Sequence, residues 1–409
     1  MAKNIKYVIL VGDGMGDFPM DELRGETPLE VANTPNMDRV AQGGIGLVNT
    51  IPPGMEPGSD VATMSLLGYD PASYHTGRAP LEAASMNLRL SDGHVAFRMN
   101  LVTLLRRSDS EIIMESYNSG EISREEGTAI VKDLGLALER PGIKLFPGVA
   151  YRHILLWDKG PEEAHTIPPH DVLGQNVASY LSDPGNRQVS GVIKASWPIL
   201  ETHPINLERR KKGLLEANSI WLWGQGKAPR MPSFQELFGL VGGVVSAVDL
   251  LKGIGRYAGL ETPEVEGATG YIDTNYEGKV EAALDILKGA DFVLLHLEAP
   301  DEAGHRGDLN GKIEAIEAFD QKIVGPILEG LKDHQNYRVM VVSDHLTPIV
   351  KRTHTNDPTP FAWAWKHELE GQATQGGDLG FSERAAKGSG LFFQAGNHLM
   401  PEFLAKSSA

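Results

Sequence analysis

The sequence predicts an α/β fold with a mostly parallel central sheet, carrying a small α+β domain inserted near the middle of the chain. Three observations lead there. Near both chain ends, apolar runs stop abruptly at acidic or imidazole residues: KYVILVGDG, FVLLHLEAPDEAGH and VMVVSDH. The later half alternates short apolar runs with helical periodicity, as strands joined by crossover helices do. Around residue 90 the texture changes to adjacent apolar runs of strand length. At 409 residues the chain exceeds one compact core of ordinary size, so two domains, or one domain with an insertion, are expected.

Taken in order, Tyr7 to Val11 is a buried strand that leaves through Gly-Asp-Gly. Thr34 and Pro35 open a helix over NMDRVAQGG, with Thr34 as N-cap, Pro35 at the first helical position and Gly43-Gly44 as terminator. Ser59 follows in PPGMEPGSD, a stretch too rich in Pro and Gly for regular structure, and VATMSLLGYD is a helix ending at Gly68. VAFRMNLVTLL and EIIMESY are paired strands. Ser123 and Glu126 form a capping box for REEGTAIVKDLGLAL, and IKLFPGVAYRHILLWD supplies two more strands. Beyond these, GGVVSAVDLLKGIGRYAGL is strand then helix, EGKVEAALDILKG a helix, DFVLLHLEA a strand, GKIEAIEAFDQKIVGPILEGL one amphipathic helix and YRVMVVSDH a strand. The main domain is assigned residues 1–90 and 205–409, and the inserted domain with its linker 91–204.

Composition narrows the function. No apolar stretch reaches membrane-spanning length, and MAKNIKYVIL runs straight into a strand without a secretory leader, so a cytoplasmic enzyme with no membrane partner is expected. Zero cysteines exclude disulfides, thiolate metal sites and a Cys nucleophile. Any metal must use oxygen and imidazole ligands, which suits Mn²⁺, Mg²⁺ or Zn²⁺. A net charge of -16 argues against nucleic acid as a partner. An anionic substrate then requires a local cationic cluster.

The residues that carry chemistry are Asp13, Ser59, Asp301, His305, Asp344, His345 and His354. The aspartates follow predicted strands, and the carboxyl ends of strands are where α/β folds assemble active sites. Asp301 and His305, four apart, can meet on one ion. Adjacent Asp344 and His345 can serve one metal or bridge two, and His354 lies nine positions further on. Singly, each histidine fits an ordinary loop or core position; together with three aspartates at strand exits they indicate two divalent cations. Ser59 reads either as a helix N-cap or as a hydroxyl made nucleophilic toward phosphorus by nearby cations. The Gly12–Gly16 run is not a nucleotide-binding loop, because Asp13 and Asp17 put carboxylates where a phosphate needs N–H groups and positive charge. Candidate anion binders are Arg78, Arg98, Arg152, His153, His170, Arg209 with Arg210, and Lys279. Arg98 and Arg152 stand out because they interrupt apolar strands, where an unpaired charge is costly.

GDGMGD, TPNMDRVAQGG, EPGSD, LGYDP, YHTGRAPLEAA, PDEAGHRGD, SDHLTP and THTNDPTPF resemble the archaeal-type cofactor-independent phosphoglycerate mutases, members of the alkaline phosphatase superfamily. HPINLERR, NSIWLWGQGK, SAVDLLKGIG and GATGYIDTNYEGK resemble a bacterial branch proposed as alternative homoserine kinases. The resemblance covers nearly the whole chain. It implies an alkaline-phosphatase-like three-layer sandwich, one metal on Asp301, His305 and His354, and a second on Asp13, Ser59, Asp344 and His345. Ser59 is then the nucleophile that carries the phosphoryl group as phosphoserine, and the insert grips the glycerate with Arg78, Arg98, His153 and Arg209. Mn²⁺ is the first choice of cation, with Zn²⁺, Mg²⁺ or Co²⁺ as alternatives, and no bisphosphoglycerate is required. The implied reaction interconverts 2- and 3-phosphoglycerate. Phosphoryl transfer to homoserine and metal-dependent phosphatase or phosphodiesterase hydrolysis stay open beside it. The implied partner is a small anionic phosphorylated substrate, and the oligomeric state is open.

Overall fold

The computed structural model describes residues 5–138, 140–371 and 380–405. Twelve strands occur among them: β1 (Ile5–Gly12), β2 (Ile45–Val48), β3 (His94–Ser108), β4 (Glu111–Ser116), β5 (Ile143–Val149), β6 (Arg152–Asp158), β7 (Ser219–Gly226), β8 (Gly242–Val245), β9 (Phe292–Leu297), β10 (Asn336–Val342), β11 (Thr359–Trp365) and β12 (Phe392–Phe393). The chain divides into two compact units, one of Met1–His75 with Arg230–Ala409 and one of Thr76–Pro229.

The first unit holds a seven-stranded sheet in the order β12-β2-β11-β10-β1-β9-β8. Strands β10, β1, β9 and β8 run parallel, with Val8 beside both Val339 and Val293. Side chains of successive strand residues alternate between faces. Val8 and Leu10 enter one apolar cluster, yet Ile9 and Val11 are equally buried on the opposite face. A sheet dry on both sides must be covered on both sides, which makes this a three-layer arrangement. Near-continuous apolar runs, not alternating ones, are therefore what β1, β9 and β10 require. The sheet is mixed at one end, because β11 lies antiparallel to β10 and to β2. TPFAWAW and IGLV alone do not mark that edge, because they are short and carry Pro360 and Gly46.

Two local features differ from the sequence expectation here. Thr34 precedes the helix Pro35–Ala41 but makes no capping bond, donating instead to Asp38 Oδ1 at 3.3 Å. The long amphipathic segment near residue 320 is interrupted by a π turn, Asp320–Val324, between the helices Leu309–Phe319 and Gly325–Gly330. There the buried Asp320 carboxylate accepts from the Met37 and Asn36 backbone N–H groups at 2.7 and 3.0 Å.

The second unit is built on the fifteen-residue strand β3. Its first half lies between β6 and β7, and its far half pairs with β4, all antiparallel. The helix Arg124–Ala137 carries the predicted capping box of Ser123 and Glu126. Ile130 and Leu134 of that helix, with Val192 and Ile193 of the helix Arg187–Glu201, bury Phe97, Leu101 and Trp221. This unit extends beyond the predicted 91–204 on both sides. Strand β7 completes its sheet, and the helix Arg78–Ser85 packs Ala79 and Ala83 onto Ala96 of β3.

Candidate metal centre and arginine cluster

Strand β1 ends at Gly12, and the next residue, Asp13, turns into the end of the sheet with its N–H on Leu297 O at 2.9 Å. Gly14 follows at φ +60, where a side chain is strained, and a Cβ there would stand 2.8 Å from the Asp301 backbone. Its N–H reaches Asp344 Oδ1 at 3.0 Å. Glycine is thus needed for the turn and for close approach to a carboxylate, not for a phosphate loop. Strand β10 delivers Asp344 and His345 beside it, both fully buried. Ser59 is the first residue of the helix Ser59–Leu66, and Gly58 occupies the cap position. The N-cap reading of Ser59 is therefore replaced. Its hydroxyl lies 3.2 Å from Asp13 Oδ2 and 3.2 Å from His345 Nε2.

Two atoms here are conspicuous: Asp13 Oδ1 and Asp344 Oδ2 are buried without a hydrogen-bond partner. Leaving buried carboxylate oxygens unpaired is expensive unless a cation satisfies them. Both lie 3.4 Å from His345 Nε2, and Ser59 Oγ is 3.2 Å from the same nitrogen. Ligand bonds of about 2.1 Å in a tetrahedron place two donors roughly 3.4 Å apart, so each of the three stands from His345 Nε2 at the spacing of two ligands on one small divalent cation.

A second set lies next to it. Asp301 and His305 sit one turn apart in the helix Ala299–Arg306, with Oδ2 and Nε2 separated by 3.2 Å. His354, from the loop between β10 and β11, brings Nε2 to 3.3 Å from Asp301 Oδ1 and 2.9 Å from His305 Nε2. The ring tautomers can be deduced from acceptors. His305 Nδ1 faces Arg352 O at 3.0 Å and His354 Nδ1 faces Pro57 O at 3.2 Å. Carbonyls only accept, so Nδ1 carries a proton in both rings, and it is Nε2 that each ring can offer to a cation once it is neutral. His345 Nδ1 faces Thr347 Oγ1 at 3.3 Å, and that hydroxyl in turn donates to Asp301 Oδ1.

Electrostatics agree with a site built for positive charge. Burial pushes the Asp13 carboxyl well above its ordinary range, and the nearby Asp344 and Asp301 charges push the same way. Burial would raise Asp301 too, but hydrogen bonds from His305 and His354 outweigh it and hold that carboxyl low. The bond to Asp301 lifts the His305 imidazole to about 9. Three partly overlapping groups, Asp301 with His305 and His354, Asp13 with Asp301 and His345, and Asp13 with His296 and Asp344, have donor atoms close enough to share an ion. Nothing in the sequence alone marks His296, because inside the run FVLLHLEA it reads as an interruption of a buried strand. Its Nε2 lies 2.9 Å from Asp13 Oδ2, and burial holds its imidazole down at about 4.

The predicted anion binders separate. In the second unit, Arg98 is packed 4.1 Å over the Trp223 ring and paired with Glu82 at 3.0 Å. Burial lowers its guanidinium, Glu82 opposes that, and the charges of Arg78 and Arg152 lower it further. His170 faces the same Trp223 at 5.5 Å and is lowered by burial, with Arg98 and Arg78 contributing. Arg78, Arg98, Arg152 and His170 thus form one cluster around an aromatic floor that includes Tyr117 and Tyr151. His153 and Arg209 are held by partners within the protein. Buried His153 accepts the Gly148 N–H on Nδ1 at 3.1 Å, and burial takes it down to about 4. Arg209 clamps Leu215 O at 2.8 Å, Ser119 O at 2.8 Å and the Glu126 carboxylate at 2.6 Å, which ties the chain before one helix to the end of another. Arg210 pairs with Glu216 on the surface. Lys279 is in the first unit, fully buried; burial brings its amine to about 8 and Glu298 opposes.

Two family models match successive parts of the chain. The 2,3-bisphosphoglycerate-independent phosphoglycerate mutase model matches residues 41–206, and the type I phosphodiesterase / nucleotide pyrophosphatase model matches 203–371. A probable 2,3-bisphosphoglycerate-independent phosphoglycerate mutase of Geobacter sulfurreducens is 47% identical, over 98% of this chain and 100% of that protein. The Methanosarcina barkeri 2,3-bisphosphoglycerate-independent phosphoglycerate mutase is 48% identical, over 94% of this chain and 96% of its own length. Among solved structures, a protein from Pyrococcus horikoshii superposes with a TM-score of 0.81 at 31% identity, covering 100% of both chains. The cofactor-independent phosphoglycerate mutase of Thermoplasma acidophilum gives 0.64 at 26% identity, over 98% of this chain and 99% of that one.

Proposed function

The chain belongs to the 2,3-bisphosphoglycerate-independent phosphoglycerate mutases, and from that premise we propose that it interconverts 2- and 3-phosphoglycerate through a phosphoserine at Ser59, with two divalent cations. The observation that carries the proposal is the pair of buried, partnerless oxygens, Asp13 Oδ1 and Asp344 Oδ2, converging with Ser59 Oγ on His345 Nε2. A hydroxyl set among cation ligands and hydrogen-bonded to the Asp13 carboxylate at 3.2 Å is placed to attack phosphorus. Asp13, Ser59, Asp344 and His345 hold one cation, and Asp301, His305 and His354 the other. When bound, the ions neutralise phosphoryl oxygens and favour the ionised serine.

Ser59 Oγ forms a bond to phosphorus as the bond from phosphorus to the glycerate 3-oxygen breaks, and the serine proton passes to that leaving oxygen. In the second half the glycerate 2-hydroxyl attacks the phosphoserine, its proton returns to Ser59 Oγ, and 2-phosphoglycerate leaves. Arg78, Arg98 and Arg152 are assigned to the anionic groups of the substrate, since a guanidinium fork matches a carboxylate. Phosphorus NMR of the metal-reconstituted protein with 3-phosphoglycerate, and no bisphosphoglycerate, tests the reading. Growth of the 2-phosphoglycerate resonance supports it. Its absence overturns the mutase reading, and free phosphate appearing in its place makes the protein a hydrolase.

A further inference from the structure

The ligand histidines and His296 are wired in opposite senses. His305 and His354 give Nδ1–H to carbonyl oxygens, so that Nε2 is the atom each neutral ring can offer to a cation. His296 has no carbonyl on Nδ1; it meets the Ser246 hydroxyl at 3.2 Å. That hydroxyl already accepts the Val248 N–H at 2.9 Å, which leaves its own proton to give. At its other end, His296 Nε2 stands 2.9 Å from Asp13 Oδ2. Two lone pairs cannot face each other at that distance, so with Asp13 ionised the Nε2 atom carries the proton. The chain therefore runs from Val248 N–H to Ser246 Oγ–H to His296 Nδ1, and from His296 Nε2–H to Asp13 Oδ2. Every member is buried or part-buried and comes from the same sheet end, β8 leading to Ser246, β9 carrying His296 and β1 leading to Asp13.

We propose that His296 is a positioning residue for the cation shared by Asp13, Ser59, Asp344 and His345: it occupies Asp13 Oδ2 and so reserves the partnerless Oδ1 as the ligand atom. The carboxylate plane is fixed by the bond, and Ser246 fixes the ring. His296 is not itself a ligand, although its nitrogen lies close enough to Asp13 and Asp344 for one ion to be shared among them. This rests on the two-cation reading above.

Equilibrium dialysis of chelator-treated protein against Zn²⁺, followed by zinc X-ray absorption to count bound imidazoles, separates the possibilities. The wild type takes up two ions. His296→Leu keeps one at wild-type affinity and weakens the other by roughly 10- to 100-fold, the usual cost of removing a group that orients a ligand. His296→Gln, which restores an N–H near the Nε2 position, recovers most of that loss, and Ser246→Ala falls between. At saturating zinc the imidazole count is unchanged in all variants. Unaltered affinity for both ions in His296→Leu overturns the proposal, and so does the loss of one imidazole, which makes His296 a ligand. If His296→Leu does not melt cooperatively by circular dichroism, Ser246→Ala and His296→Gln decide: the proposal fails if Ser246→Ala binds both ions as the wild type does. A wild type that binds fewer than two ions defeats the two-cation reading first.

Discussion

The two units use charge in opposite ways. In the first, carboxylates and imidazoles are gathered at strand ends with buried oxygens left unpartnered, a cluster that is unfavourable unless positive charge offsets it. In the second, cationic Arg98 lies within a sheet but is already neutralised by Glu82 and stacked on Trp223. One region stores unsatisfied negative charge; the other holds positive charge in readiness, partly paid for by its own carboxylate. On the proposed function the difference separates two tasks, making a nucleophile and recognising an anion, and the sharpest experiments attack one task while leaving the other intact.

The largest effect is expected at Ser59. Ser59→Ala removes one hydroxyl from the helix start without disturbing the Gly58 cap, so the fold survives. Mutase turnover should fall by roughly 10⁴-fold or more, as when other covalent nucleophiles are deleted. Incubation of wild type with ³²P-labelled 3-phosphoglycerate and acid quench should label Ser59, and the variant should stay unlabelled. Full turnover in Ser59→Ala would sink the phosphoserine route and with it the assignment of nucleophile-making to the first unit.

Next comes Arg98. Arg98→Ala deletes a charged hydrogen-bond donor proposed to meet substrate, which should lower kcat/KM by about 10- to 100-fold. Cation uptake measured by dialysis should be unchanged. The comparison is sharpened by Arg209→Ala in the same unit. Arg209 is 4% exposed and holds two carbonyls and a carboxylate, so its loss should cost about 2–3 kcal/mol of stability. Its kcat/KM should stay within about twofold at a temperature where the variant is folded. Urea unfolding and steady-state kinetics on both variants read this directly. A kinetic defect in Arg209→Ala without destabilisation would restore it to the substrate site.

These contrasts mark what could be read from residues alone. Asp13, Asp301 and Asp344 were legible because an acid after an apolar run is a local pattern, and strands β1, β9 and β10 end where those runs end. His296 was not, because its partners Ser246 and Asp13 are 50 and 283 positions away. A buried strand with one imidazole looks the same whether that ring is idle or hydrogen-bonded. Arg98 and Arg209 illustrate the same limit. Both are buried arginines, and only their partners distinguish a guanidinium beside Arg78 and Arg152 from one clamped to backbone carbonyls. The width of the second unit was missed for a related reason: β7 joins β3 across more than a hundred residues, and nothing in SIWLWGQG names its neighbour.

The smallest effect is a slope, and its sign distinguishes the first unit from an ordinary acidic surface. In the metal-free protein the His305 imidazole is held at about 9 against an ordinary 6.5 by its bond to Asp301. A raised imidazole contributes stability that is complete below its unfolded value and is lost as pH climbs through the folded one. The Asp301 carboxyl is held below its ordinary 3.8, so its contribution is present above that value and is lost only as acid titrates it. Asp13 is shifted the other way, and ionising it costs folded stability as pH rises above 3.8. Across the window from 6.5 to about 9 the Asp301 contribution is constant while that of His305 is lost, so the pair favours the metal-free protein on the acid side. Cation binding reverses the slope, because His305 and His354 must shed their protons to become ligands, so affinity should climb over the same window. Thermal unfolding of chelator-treated and Zn²⁺-loaded protein between about pH 6 and 9 measures both. The Tm of the metal-free protein should fall with pH while the gap to the loaded protein widens. A metal-free Tm that rose across that window would mean that Asp301 and His305 do not pair as their 3.2 Å separation indicates.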